Sequence, residues 1–192
     1  MSAIEHRLFE QPWPEGEYRF FQMGFVVADD VTTAATRWAR VFGVGPFHVL
    51  PVFDQHLMYR GQESTITCQV AVAQAGPVQI ELIQQLCDRP SVFREWSRDG
   101  TCVFHQVATV TPDYDGKKAH LEKLGYEIAA ESLSGSRVRT AYFDTLADFG
   151  FYTEVVESTP GFLANLNKIS QAAAAWDGTD GVRILTADGR VQ

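Results

Sequence analysis

The chain has 192 residues, 45% of them hydrophobic and 21% charged, and a formal net charge of −8. That length suits one large domain or two fused small modules, and the composition is that of a globular protein with a substantial core. The negative balance argues against broad affinity for nucleic acid or an anionic membrane surface, because both need basic patches.

The first strand-like run is FFQMGFVVA at 20–28. Asp29 and Asp30 then offer an N-cap. Apolar residues follow at Val31, Ala34, Ala35, Trp38, Val41 and Phe42, the spacing of one helical face, and Gly43 is placed to end that helix. Three β-rich runs come next: PFHVLPVF, STITCQVAVAQA and VQIELIQQ. The segment RPSVFREWSRDG is expected to hold a short helix capped by Ser91.

The order then repeats. CVFHQVATV reads as a strand, PDYDGKKAHLEKLG as a helix stopped by Gly125, and YEIAAES, VRTAYFD and FGFYTEVVE as three more strands. Two βαβββ units are therefore expected, found by element order. The expected divisions are an N-terminal extension at 1–19, a first module at 20–88, a linker at 89–101, a second module at 102–157, and a C-terminal helix and tail at 158–192. The helix begins at Pro160 and carries the stripe Phe162, Leu163, Leu166, Ile169, Ala173 and Trp176. It reads first as packing on the domain, with a homodimer contact as the alternative. VRILT, between two DG turns, is expected to form a small hairpin.

Cys68, Cys87 and Cys102 form no CxxC pair, so neither a disulfide framework nor a thiolate metal site is expected, and the setting is expected to be cytoplasmic. The N-terminal stretch lacks a basic start followed by an apolar run, so no secretory leader is expected. No apolar run approaches the ~20 residues of a spanning helix.

The chemistry concentrates on the first and last strands of each unit. Strict alternation puts Gln22 and Gly24 on one face of FQMGFVV, and Glu81 opposite the apolar face of VQIELIQ. In VFHQVATV it puts His105 on the polar face and leaves Gln106 on the apolar side, and Glu154 lies mid-strand in the last run. A buried strand glutamate is costly without a partner, and a divalent cation relieves that cost. Gln22 and His105 are read as equivalent, as are Glu81 and Glu154. The first spacing exceeds the second by ten residues, which is assigned to a longer loop at 54–64 in the first copy.

The text FQMGFVVADD…RWARVFGVGPF, VQIELIQ, VFREWSRDGTCVFHQVATV, LEKLGYEI and GFYTEVVE resembles the vicinal oxygen chelate superfamily over about residues 20–157. The resemblance implies an α+β fold in which two βαβββ modules form a curved mixed sheet around a metal site, followed here by a C-terminal helix. It implies one divalent ion (Zn, Ni, Co, Mn or Mg) held by Gln22, Glu81, His105 and Glu154. Glu154 is then the first candidate for the base and Glu81 the second. With one histidine among the four, iron dioxygenase chemistry is disfavoured. The implied activity is a glyoxalase-like lyase or isomerase working by proton abstraction next to a chelated carbonyl. The alternatives are an acyl-CoA epimerase or a non-catalytic drug-binding protein. The expected partner is a small molecule such as a thiol conjugate or acyl-CoA. His48, Arg137 and Arg139 are the candidate substrate contacts, and Tyr59, Arg60, Phe149 and Phe151 are expected to shape the pocket.

Overall fold

A computed structural model describes residues 17–96, 102–133 and 138–192. Strand β1 (Tyr18–Val26) leads into helix α1 (Val31–Phe42), whose cap is Asp30. The Asp30 carboxylate accepts the backbone N–H groups of Thr32 at 3.0 Å and Thr33 at 3.1 Å, satisfying donors that have no partner inside the helix. The helix ends at Gly43, which takes the left-handed conformation (φ 62°) and donates its N–H to Ala39. Strands β2 (Phe47–Val49), β3 (Phe53–Tyr59), β4 (Gln62–Ala75) and β5 (Val78–Gln85) complete the first half.

Helix α2 (Val92–Trp96) links the halves and is capped as expected, with Ser91 Oγ accepting from the N–H of Phe93 and Arg94. The second half comprises β6 (Val103–Thr111), α3 (Tyr114–Lys123), β7 (Ile128–Leu133), β8 (Arg139–Phe143), the short α4 (Leu146–Phe149) and β9 (Tyr152–Glu157). Helix α5 (Pro160–Ala174) and strand β10 (Val182–Ile184) follow.

In each half the first and last strands pair in parallel: β1 with β5, and β6 with β9. The halves meet at two junctions, β1 with β6 and β3 with β7, both antiparallel. Because β4 also pairs with β5, the eight strands β3-β4-β5-β1-β6-β9-β8-β7 close into a ring, and β2 and β10 extend it beside β4. This is the expected α+β architecture, with the sheet curved to closure. Helix α1 covers the outer face over Phe47, Val49, Ala71, Ala73 and Leu82, while α3 covers Ala141, Phe143 and Val155. Full burial of an aliphatic side chain of this kind contributes roughly 1.5–3 kcal/mol.

One expectation is corrected. Residues 54–64 are not a loop: they are most of β3, a two-residue turn and the start of β4. Arg60 (φ 48°) and Gly61 (φ 77°) both adopt positive φ, as a tight hairpin turn of type I′ requires. Most of β3 is exposed, so its polar residues hide the alternation that marks a half-buried strand. The first half is longer because it carries two strands, β2 and β3, where the second carries only β7.

The C-terminal helix packs on the ring. Phe162 and Leu166 join a cluster with Phe21, Ala108, Val110, Val138 and Val156. The tail strand β10 pairs in parallel with β2, and Leu185 bridges Val191 to form the small turn. Among the described residues, no helix is long and apolar enough to cross a membrane.

Candidate functional site inside the strand ring

The strand registers reveal which residues of the two halves are equivalent. Gly24 stands opposite Glu81 in the first half, and Ala108 opposite Glu154 in the second. Two residues before these reference points lie Gln22 and Gln106. Across the junction of the halves, Gln22 pairs with Ala108 and Gly24 with Gln106. The halves are thus related by a local twofold in which Gln106, not His105, matches Gln22.

The one-residue error has a physical cause. Gly24 pairs with Gln106 while the next residue, Phe25, pairs with Phe104. His105 is the extra residue of a β-bulge, and strict alternation fails across it. The His105 ring is fully buried. It packs on Tyr152 and Phe93, with centroids at 4.9 and 5.0 Å. Its Nε2 lies 3.1 Å from the Val92 carbonyl, and its Nδ1 faces Gln106 Oε1. Burial pulls its pKa down to about 4, so the ring is neutral and carries one N–H, which donates either to the Val92 carbonyl or to Gln106 Oε1. His105, expected as a metal ligand, has both ring nitrogens against protein oxygens, and the ring is not among the residues that line the cavity.

Gln106 reaches from the second half to a glutamate of the first. Its Nε2 donates to Glu81 Oε2 at 3.0 Å, and its side chain lowers the pKa of the neighbouring Glu154. Gly24 makes this possible, because a Cβ there would come within 2.2 Å of the Gln106 side chain. A glycine in a strand interior marks such close approaches, and Gly24 is the sequence signal that could have exposed the role of Gln106.

Gln22, Glu81 and Glu154 line one cavity of about 230 Å³ inside the ring. Its other polar walls are Gln55, Thr140 and Tyr142, and the remainder is apolar. Gln22 Nε2 donates to Gln79 Oε1 at 2.7 Å, which fixes the amide. The buried Tyr142 is the cross-strand partner of Glu154. Glu154 Oε2 is buried with no hydrogen-bond partner. Burial raises the pKa of both carboxyls, and the neighbouring Glu154 charge raises Glu81 further. The Tyr142 hydroxyl and the Gln106 amide pull Glu154 in the opposite direction without cancelling the rise.

Among the described residues, no three His, Cys, Asp or Glu side chains gather at metal-binding distance. The cavity instead offers two carboxylates and the Gln22 amide. These are oxygen donors of the kind a hard divalent cation takes, and the unpartnered Glu154 oxygen fits that role.

The remaining candidates lie elsewhere. His48 shares a cross-strand row with Val72 and Glu81 but does not line the cavity, and burial beside Arg183 lowers its pKa. Arg139 alternates to the face opposite Thr140, where it pairs with Asp115 and Glu157, each at 2.8 Å. Arg137 lies outside the described residues. Tyr59 and Arg60 bind Glu95, and Phe149 and Phe151 stack in an aromatic row that continues through Phe104 and Phe25; none of these four lines the cavity.

Residues 21–143 match the family model described as Glyoxalase/Bleomycin resistance protein/Dioxygenase superfamily. No curated protein matches the chain in sequence. Among solved structures, the methylmalonyl-CoA epimerase of Mycobacterium tuberculosis is 19% identical, with a TM-score of 0.52 over 76% of this chain and 91% of that one. A hypothetical protein from Bacillus halodurans is 11% identical, with a TM-score of 0.54 over 76% and 96% of the two chains. A variant of the Streptomyces coelicolor methylmalonyl-CoA epimerase, in complex with 2-nitronate-propionyl-CoA, is 16% identical, with a TM-score of 0.51 over 74% and 95%.

Proposed function

The chain belongs to the glyoxalase/bleomycin resistance protein/dioxygenase superfamily, and from that premise we propose that it is an isomerase that moves a proton at the carbon next to a carbonyl. One observation carries this reading: Glu81 and Glu154, from opposite halves of the ring, face one apolar cavity with their pKa values raised. A carboxylate in an apolar site is a stronger base than one in water, which brings it closer to the weak carbon acid it must deprotonate.

Glu154 presents a buried oxygen without a hydrogen-bond partner and is the base. Tyr142 stands beside it as its cross-strand partner. Glu81, held by Gln106 from the other half, is the second proton carrier. Two carriers suit epimerisation, in which the proton leaves one face of a carbon and returns to the other. A divalent ion held by Gln22, Glu81 and Glu154 would stabilise the negative charge developing on the carbonyl oxygen. The largely apolar walls lower the local dielectric and so strengthen each of these interactions.

The substrate class proposed is an acyl thioester such as an acyl-CoA, in keeping with the epimerases that share the fold. The glyoxalase outcome uses the same first step, with the proton returned to the neighbouring carbon. The deciding experiment incubates the protein, with divalent ion supplied, in D₂O with a racemic 2-methyl acyl-CoA and, separately, with the hemithioacetal of methylglyoxal. Deuterium at the 2-position of the thioester is the expected result. Product from the hemithioacetal alone would establish the lyase outcome instead. No exchange with either, combined with ligand-induced stabilisation, would establish a binding protein.

A further inference from the structure

The cavity wall shows a pattern of charge that bears on the substrate. Its polar side chains are Gln22, Gln55, Glu81, Thr140, Tyr142 and Glu154, and no described lysine, arginine or histidine lines it. The apolar wall includes Leu50, Phe53, Val70, Ile83, Phe93 and Phe162. Arg60 and Arg139 are committed to acidic partners outside the cavity.

From this we propose that the group seated in the cavity is an uncharged, apolar acyl chain, and that a substrate bearing a free carboxylate on the reacting carbon is rejected. The inference rests on the proton-transfer reading for the identity of the site, but it concerns what the site accepts. A substrate carboxylate would meet two glutamates and no compensating cation among the described side chains. A buried charge without a partner is strongly disfavoured. A divalent ion on Gln22, Glu81 and Glu154 would only balance the two glutamates, leaving the site neutral with no positive charge to spare. An alkyl group meets phenylalanine, leucine and valine instead, each contact adding to burial that favours binding. The size agrees: about 230 Å³ falls below the ~300–1,000 Å³ of pockets that hold drug-sized ligands, so the seated group is small.

The test compares two thioesters on the same thiol, 2-methylbutanoyl and methylmalonyl. They are close in shape and differ in an ethyl group against a carboxylate. Binding is read by calorimetry and proton exchange by NMR in D₂O, on the whole protein with divalent ion supplied. At least tenfold tighter binding of the 2-methylbutanoyl thioester is expected. Tighter binding without exchange in either compound would uphold the substrate class and sink the proton-transfer reading. Equal or tighter binding of the methylmalonyl thioester, or no binding of either, would overturn the class. As a second arm, Gln55→Arg puts a cation on the wall and is expected to narrow or reverse the preference. An unchanged preference in a folded Gln55→Arg protein would overturn the charge argument.

Discussion

Gln106 reaches across Gly24 to Glu81, with a hydrogen bond of 3.0 Å that joins the second half of the ring to the first. The bond depends on the missing Cβ. Gly24→Ala would drive a methyl group into the Gln106 side chain. Overpacking of this kind costs about 1–3 kcal/mol, and it would also pull Gln106 away from Glu81. Denaturant titration should show that loss in the single variant and partial recovery in Gly24→Ala/Gln106→Ala, where the obstructing side chain is gone. Strict additivity of the two substitutions would mean that the contact carries no energy.

The glutamates should trade stability against activity. Replacing either with glutamine removes one of two like charges held in an apolar cavity. Glu154→Gln is expected to lower turnover by ~10²-fold or more while leaving the metal-free protein as stable as the parent, or more so, at pH 8. A steady-state assay and a thermal melt on the same preparation check both halves. Retained activity would remove Glu154 from the role of base.

The pH dependence of the metal-free protein follows from the same pair. Glutamates of the unfolded chain titrate near ~4.3, and in the fold both titrate higher. The native state therefore holds protons that the unfolded state has already released. This contribution to stability is complete below the unfolded value and is lost as pH rises through the folded values. Melting temperature in the presence of a chelator should fall as pH rises above the ordinary carboxylate range, and a divalent cation should reverse the fall. A flat profile that ignores the cation would count against both the burial argument and the oxygen-donor site.

Glu95 should behave in the opposite sense. Burial pushes its carboxyl up, but the Arg60 guanidinium and the hydroxyls of Tyr152 and Tyr59 outweigh that and hold it at about 2. Its stabilisation is present above the ordinary value of 4.5 and is lost as pH falls toward 2. Glu95→Gln should cost about 1–3 kcal/mol near neutrality, allowing for partial solvent exposure, and should flatten the acid limb of the stability curve. An acid limb as steep as the parent's would show that other carboxyls govern it.

His105 and Gln106 can be separated by metal content. His105→Phe should leave bound metal unchanged while reducing stability, because the buried hydrogen bond of the ring N–H is lost. Gln106→Ala should weaken metal binding by releasing Glu81. Elemental analysis of the two proteins decides which residue supports the site, and metal lost only from His105→Phe would reinstate the histidine as a ligand.

Much of this architecture is legible in the sequence. Asp30, Gly43 and Gly125 mark helix ends through local chemistry, and the two strand–helix–strand runs follow from them. Glu81 and Glu154 are legible too, because a carboxylate in an apolar strand needs an explanation. The position of His105 is not, since a bulge adds one residue without changing composition and reverses the face of everything upstream of it. The β3 hairpin is hidden for a different reason: both its faces are largely wet, so its sequence carries no contrast between core and solvent. Closure of the ring depends on β3 meeting β7, a contact between residues more than 70 positions apart that no local pattern encodes.

The local twofold gives each half the same contribution, one glutamine and one glutamate from matching strand positions. One such half, paired with a copy of itself, would already assemble the complete donor set. What joining the halves in a single chain adds is the freedom for the walls to differ: Leu50, Phe53 and Ile83 come from one half, and Thr140, Tyr142 and Val156 from the other. A planar carbon held between matched acids but unmatched walls has two faces that the protein can tell apart, so handedness in this site is a property of its lining and not of its acids.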